Sequence, residues 1–285
     1  MDRVRRRAGN VLFARVAGPD GPRNRREIHT TPGPRWFPPD DPVRVVHADS
    51  AMFVGGLTAL LLQSLHPAAM AAVAAHSGYR GDPWGRLHRT STFLARTTYG
   101  TAASAQAACD RLNAMHTAIS GVSAQGIAYR ASDPHLLKWV HMAEADSFLR
   151  AHQRFGARTL SAEEADGYVR GMARIARALG VTDPPRTVEE LQAGLRSYRT
   201  ELRCTPEARE CTRYLLFRPP LPLPAWPLYA VLAANAVSLL PPWAAAELHL
   251  GRCARAERWA VRPAGGAVTG LIRWALRDAP PTADA

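Results

Sequence analysis

Residues 49–80, DSAMFVGGLTALLLQSLHPAAMAAVAAHSGYR, decide the fold, because no Asp, Glu, Lys or Arg occurs between Asp49 and Arg80. A run of that length would suffice to cross a bilayer. However, Pro67 interrupts it near the middle, and a proline inside a helix removes a hydrogen bond and clashes with the preceding turn. The run is also rich in Ala, which favours a helix buried on all sides. We therefore expect an apolar core helix kinked at His66–Pro67, and we do not favour membrane association.

Capping signals and apolar periodicity predict further helices, and no segment shows a convincing strand period. Ser161 and Glu164 have the spacing of a capping box, and Pro134 follows Ser132 or Asp133 at the first position of another helix. The predicted fold class is all-α, with a single helical domain. The expected helices cover about residues 84–98, 101–120, 134–155, 161–180, 187–203 and 206–215, and two more flank a break at Pro241–Pro242.

The two ends of the chain differ in composition from this helical region. Residues 1–45 are rich in Pro, Gly and Arg, so we expect an irregular basic N-terminal arm there. Residues 46–275 form the predicted domain, and residues 276–285 are predicted to be a disordered tail.

The formal net charge is +12, and eight arginines lie among the first 27 residues. A basic chain can attract nucleic acid or anionic membranes. Scattered charge of this kind is more often a solvated surface, so we expect no nucleic-acid partner.

Cysteine usage and the N-terminal sequence bear on the compartment. The four cysteines form no Cys-x-x-Cys pair, which is typical of ordinary thiols in a reducing compartment. The apolar stretch after the basic start is broken by Arg15, and no clear cleavage site follows, so we expect no signal peptide. These observations predict a cytoplasmic protein.

The first candidate for chemistry is His116. It lies on a stripe with Cys109, Leu112 and Ile119 that faces the core by helical spacing. An imidazole in that position is either a core histidine with a hydrogen-bond partner or a ligand of a metal or of haem.

Two further histidines lie at positions that suggest burial. His141 shares a helical stripe with Glu144, whose carboxylate could simply orient the ring. His66 precedes the proline at the helix break, where a structural role is the default interpretation.

Several standard motifs are missing. The sequence contains no His-Glu-x-x-His, no Gly-x-Gly-x-x-Gly, no phosphate-binding loop and no Gly-x-Ser-x-Gly. What remains is a helical core with an inward-facing histidine and a face that carries Arg86, Arg89 and Thr90. This combination favours haem over a bare ion, since haem needs one strong protein ligand, an apolar cleft and cations for its propionates.

The chain resembles the rubber oxygenase and mycophenolate-pathway (MpaB-type) oxygenase catalytic domain family, which includes the latex-clearing proteins, from about Asp49 to Trp243. The resemblance rests on LLLQSLHPAAMAAVAAHSGYRGDPWGRLHRTSTFLARTTYGT (60–101), LNAMHTAISG (112–121), YRASDPHLLKWVHMAEADSFLRAHQRFG (129–156) and AVSLLPPW (236–243). It implies an all-helical, globin-like core that holds b-type haem.

The resemblance also implies roles for individual residues. His116, in HTAISG, matches the proximal haem ligand and is the predicted metal ligand. Arg86 and Thr90 match the Arg-x-x-Lys-Thr element on the distal side of the haem, and are the predicted catalytic residues. Together with His116, Arg86 and Arg89 are the predicted cofactor-binding residues, because a guanidinium can pair with a propionate.

Two departures from the latex-clearing pattern bear on the substrate. Arg89 replaces a lysine that can bind iron, and a guanidinium has no lone pair to offer. The chain also has no Glu between Asp49 and Arg86, where the latex-clearing proteins have a proposed base. We therefore expect a haem-b-dependent oxygenase that acts with dioxygen and an electron donor on a small apolar or lipid-like molecule rather than on polyisoprene. The alternative is a family member that binds haem or lipid without catalysis.

Overall fold

The computed structural model describes residues 2–78 and 81–277, and the regular structure in these ranges is almost all helical. The first eight helices are α1 (Asp2–Ala17), α2 (Gly21–Thr30), α3 (Pro42–Ala48), α4 (Met52–Gln63), α5 (Pro67–His76), α6 (Pro83–Tyr99), α7 (Ala102–Thr117) and α8 (Pro134–Phe155). They are followed by α9 (Ala162–Ala178), α10 (Val188–Ser197), α11 (Pro206–Phe217), α12 (Trp226–Leu239), α13 (Pro242–Glu247), α14 (Ala254–Ala256) and α15 (Arg262–Leu276). The all-α prediction is confirmed.

The centre of the fold is the contact between α4 and α8. Helix α4 is apolar on most sides, whereas α8 buries apolar residues such as Trp139 and Phe148 and also carries charged ones. A break at residues 64–66, immediately before Pro67, separates α4 from α5. Gly55 allows the two backbones to approach closely, since a Cβ there would lie 2.9 Å from Phe148 Cδ1 and 3.1 Å from Ala151 Cβ. The sequence run that suggested a kinked core helix therefore forms two short buried helices.

The predicted helix starts are confirmed in atomic detail. Asp133 accepts a hydrogen bond from the backbone N–H of His135 at 2.9 Å, with Pro134 at the first helical position of α8. Ser161 and Glu164 form the reciprocal capping box at the start of α9, in which each side chain binds the other residue's backbone N–H.

The N-terminal segment is not irregular as expected, because α1 and α2 occupy most of its first 30 residues. Residues 2–17 contain no proline, and Arg and Ala are strong helix formers. Helix α1 packs against α6 and α15, which supplies the stabilisation that a short polar helix lacks alone. The expected disordered tail, 276–285, begins within α15 at Leu276 and is described only to Arg277, so residues 278–285 lie outside the described part of the chain.

The structure also contains one element that the sequence did not predict, an antiparallel hairpin of β1 (Ser120–Val122) and β2 (Ala128–Arg130). Each strand has three residues, which is too short to show a period of two. This β-hairpin packs against α5 and directly follows α7 in the chain.

The C-terminal helix is fixed to the core by one buried ion pair. Arg273 on α15 donates to both carboxylate oxygens of Asp49, at 2.8 and 3.1 Å, and to the carbonyl of Phe155 at 2.6 Å. Burial acts to raise the pKa of Asp49, but the hydrogen bonds from Arg273 and from two backbone N–H groups outweigh it and lower that pKa. The pair thus joins the beginning of α4, the end of α8 and α15.

No single helix in the described ranges has both the length and the hydropathy needed to cross a membrane. Helices α3 and α4 reach that length and composition only when they are taken together, and the pair is bent by 97°.

Candidate functional site

The candidate site residues lie on α6 and α7, which form a helical hairpin. The helices pack against each other and are joined by Gly100 and Thr101. The Thr101 side chain caps α7 by accepting from the N–H of Ser104, and Asp82 caps α6 by accepting from that of Gly85 at 2.8 Å.

Burial decreases along both helices away from this connection. On α6, Thr97 and Thr98 are buried, Phe93 is half-buried and Thr90 is exposed. On α7, Cys109 is buried, Leu112 and His116 are half-buried, and Met115 is exposed. We name the less buried part, residues 86–93 and 112–119, the open end of the hairpin. The predicted haem-binding residues all lie there.

Arg86 and Arg89 lie in different surroundings at the open end. Arg86 is half-buried, and its Nη1 donates to Ser77 Oγ at the end of α5, at 3.0 Å. The side chain of Arg89 is 64% exposed and forms an ion pair with Asp82 at 3.4 Å. Of the two guanidinium groups, Arg86 is therefore the better placed to meet a ligand between the helices.

Thr90 lies one turn after Arg86 on the same face of α6. Its hydroxyl donates to the carbonyl oxygen of Arg86 at 3.0 Å, a contact within the helix. The hydroxyl must rotate away from that carbonyl before it can donate to a ligand, because it has only one proton.

His116 lies in the last turn of α7. Its ring is half-buried, and Nδ1 is buried without a hydrogen-bond partner. Burial lowers the pKa of the imidazole, so the neutral form, which has the lone pair that a metal needs, predominates at neutral pH. An unsatisfied buried ring nitrogen is unfavourable unless a ligand uses it.

A second group of polar side chains lies deeper in the fold, and we name it the inner polar cluster: His47, Thr98, His141, Glu144 and Tyr168. His47 Nδ1 is 2.8 Å from Thr98 Oγ1, and the rings of His47 and Tyr168 are in edge contact at 5.9 Å. Only the stripe formed by His141 and Glu144 was evident from the sequence. The other members come from α3, α6 and α9, so no local pattern could reveal them.

At neutral pH His141 is neutral, whereas Glu144 is about half protonated. Burial raises the pKa of Glu144 to about 7, and burial together with Lys138 lowers that of His141 to about 4. His141 Nε2 has no hydrogen-bond partner, so Glu144 does not orient the ring through that atom. Glu144 keeps some accessible surface, although burial is the cause of its raised pKa.

A family model described as "ER-bound oxygenase mpaB/B'/Rubber oxygenase, catalytic domain" matches residues 43–274. The chain therefore belongs to this family of oxygenase catalytic domains. No curated protein and no solved structure gives a significant match.

Proposed function

We propose that this protein is a haem-b-dependent oxygenase that acts on a small apolar or lipid-like molecule. Family membership supports an oxygenase. The observation that carries the haem proposal is His116, a neutral imidazole with a buried, unpartnered ring nitrogen at the open end of a helical hairpin.

The residues at the open end fit a haem group. His116 offers a nitrogen ligand to iron, and Arg86 offers a guanidinium for a propionate. The apolar side chains of Phe93 and Leu112 lie on the faces that carry Arg86 and His116, and both keep accessible surface. When bound, haem iron would supply the redox chemistry with dioxygen.

The chain's own side chains would bind, orient and exclude water. Arg86 keeps its charge at any physiological pH and so holds an anionic group at a fixed place. Thr90, once its hydroxyl rotates, presents one donor to the same space. Glu144, with a pKa of about 7, can hold a proton on its carboxyl oxygen near neutral pH and release it to a neighbouring group.

The apolar character of the open end supports an apolar substrate. Leu87 is 37% exposed and Met115 is 51% exposed, one on each helix of the hairpin. Exposed apolar side chains near a proposed binding site favour a ligand that is largely apolar.

The first experiment is an absorption spectrum of protein expressed with adequate haem supply. We expect a Soret band that is lost in His116→Ala with little change in helix content. His76→Ala is the matched control, because this exposed ring contacts only Tyr129 Oη, at 3.1 Å, among the contacts described. A normal haem content in His116→Ala would disprove the ligand assignment, and His141→Ala would then be tested next.

The second experiment separates catalysis from binding. Oxygen uptake in the presence of a reductant and an apolar substrate is expected in the haem-loaded protein. A stable haem complex without uptake would instead identify a binding protein that retains the family's pocket.

A further inference from the structure

Three side chains far apart in the sequence meet at the N-terminal end of α5, whereas Arg86 contacts Ser77 at its C-terminal end: His66, His135 and Glu201. His135 Nε2 lies 2.8 Å from Glu201 Oε2, and His66 Nε2 lies 3.6 Å from the same oxygen. One potential ligand atom from each residue lies within 4.8 Å of the other two. We name this group the His-His-Glu cluster.

The cluster is held by backbone contacts from three segments. His66 is the residue before Pro67 at the start of α5, and His135 lies in the first turn of α8, which Asp133 caps. The N–H of Arg203 donates to the carbonyl of Leu65 at 2.9 Å, and this bond joins the chain beside Glu201 to the chain beside His66. The cluster is therefore built into the fold rather than formed by mobile surface side chains.

Tyr198 determines which ring nitrogen of His135 carries the proton. Its hydroxyl donates to the His135 carbonyl oxygen at 2.9 Å, and the same hydroxyl oxygen is 3.1 Å from His135 Nδ1. Because the hydroxyl has one proton and gives it to the carbonyl, Nδ1 must be the donor in the second contact. The neutral ring then has its lone pair on Nε2, which faces the carboxylate of Glu201.

A lone pair that faces a carboxylate oxygen at 2.8 Å is repulsive unless a cation or a proton lies between them. A metal-bound histidine commonly donates its other ring N–H to a neighbouring oxygen, and Tyr198 supplies that oxygen here. The ring of Tyr198 also stacks on that of His135, with the ring centroids 4.4 Å apart, and this contact fixes the plane of the imidazole.

His66 provides the second, independent observation. Its side chain is only 7% exposed, and neither Nδ1 nor Nε2 has a hydrogen-bond partner, so it does not bind the backbone at the helix break. Leaving such a ring unsatisfied costs about 1–3 kcal/mol. Because Nε2 is directed at the cluster, a ligand there would satisfy it.

We propose that His66, His135 and Glu201 bind one divalent transition metal ion, with Zn²⁺ as the best match to two imidazoles and one carboxylate. Zinc ligands at about 2.0–2.2 Å in tetrahedral geometry lie about 3.3–3.5 Å from one another. The separations of the two imidazoles from Glu201 Oε2, 2.8 and 3.6 Å, lie within about 0.5 Å of that range, and the two ligand nitrogens lie within 4.8 Å of each other.

The surroundings leave a path for the ion and an open coordination position. The side chains of His135 and Glu201 are 50% and 42% exposed, whereas His66 forms the buried base of the site. Three protein ligands leave a fourth position for water. The cluster is separate from the proposed haem site, because Ser77, the partner of Arg86, lies eleven residues beyond His66, or about 16 Å along α5.

The test is zinc binding by untagged, haem-loaded protein, because a histidine tag would itself bind zinc. Elemental analysis should give one zinc per chain in addition to haem iron, and a competition titration against a chromogenic chelator gives the dissociation constant. We expect Glu201→Gln to abolish tight binding and Tyr198→Phe to weaken it about 10- to 100-fold. Glu201 is partly exposed, so this substitution leaves the packing around His66 intact.

His76→Gln is the matched control, since it removes an exposed imidazole at the other end of α5 and should leave zinc affinity unchanged. Zinc should also raise the unfolding temperature of the wild-type protein in a way that a chelator reverses, and not that of Glu201→Gln. Two results would overturn the proposal. One is equal zinc affinity in the wild type, Glu201→Gln and Tyr198→Phe; the other is a stability effect of Glu201→Gln that zinc and chelator do not alter, which identifies a simple ion pair.

Discussion

Glu144→Gln tests the burial of the inner polar cluster. The substitution keeps the shape of the side chain and removes its titration. In the folded protein burial raises the pKa of Glu144 from its usual 4.5 to about 7, and no charged partner contributes. Between these two values the unfolded chain has already lost the proton that the folded protein still holds. The folded state therefore binds more protons, and the stability of the wild type falls as the pH rises.

The magnitude follows from the size of the shift. A difference of about 2.5 pKa units corresponds to about 3 kcal/mol at 1.36 kcal/mol per unit. Most of that loss, about 2.5 kcal/mol, falls between pH 5 and pH 8. Glu144→Gln lacks this loss, so its stability relative to the wild type should increase by about 2.5 kcal/mol over the same interval.

The assay is urea unfolding of both proteins at several pH values, with haem content matched. The change in relative stability is the decisive quantity, because the contributions of the other titrating groups cancel. Glu163→Gln, at an exposed position in the first turn of α9, serves as the control and should show no such change. If Glu144→Gln and the wild type keep a constant difference from pH 5 to pH 8, the carboxyl is solvated and its proposed role in holding a proton is wrong.

Three further predictions concern the core and the hairpin. Gly55→Ala should destabilise the fold by about 1–3 kcal/mol, because its Cβ would meet α8, whereas Gly56→Ala, with its nearest neighbour at 3.9 Å, should be tolerated; urea unfolding measures both. Arg273→Met should lower the free energy of unfolding by about 3 kcal/mol at neutral pH, because Asp49 is then buried without its charged partner. This deficit should shrink as the pH falls through the lowered pKa of Asp49, because the carboxylate becomes neutral. Thr90→Ala should lower oxygen uptake more than haem content, because its hydroxyl is proposed to donate to the reacting group and not to hold the cofactor, and equal losses in both would contradict that role.

The sequence predicted most of the helices because their signals are local. The capping box at Ser161 and the proline after Asp133 each lie within a few residues of the helix start that they determine. The first two helices were missed for the opposite reason, because α1 depends on packing against α15, which is more than 240 residues away. Tertiary contacts of that kind leave no local pattern.

The same distinction applies to the two sites. His116 could be proposed as a ligand from the sequence, because helical spacing places it on one stripe with Cys109 and it lies in HTAISG, which resembles the family motif. The His-His-Glu cluster could not, since Glu201 follows His66 by 135 positions in the sequence and no motif links them. Its members become recognisable only when α5, α8 and the turn after α10 are placed together.

The proposed haem-binding residues lie outside the most tightly packed part of the core. The contact between α4 and α8 is fully packed, whereas the open end of the hairpin leaves Leu87 and Met115 exposed and His116 unsatisfied. A region with few buried contacts unfolds locally at a low cost in free energy. A ligand that binds only the folded form of that region stabilises it. Haem should therefore slow amide exchange at the open end of the hairpin while exchange in α4 stays limited by global unfolding. Equal protection of both regions with and without haem would show that the cofactor binds elsewhere.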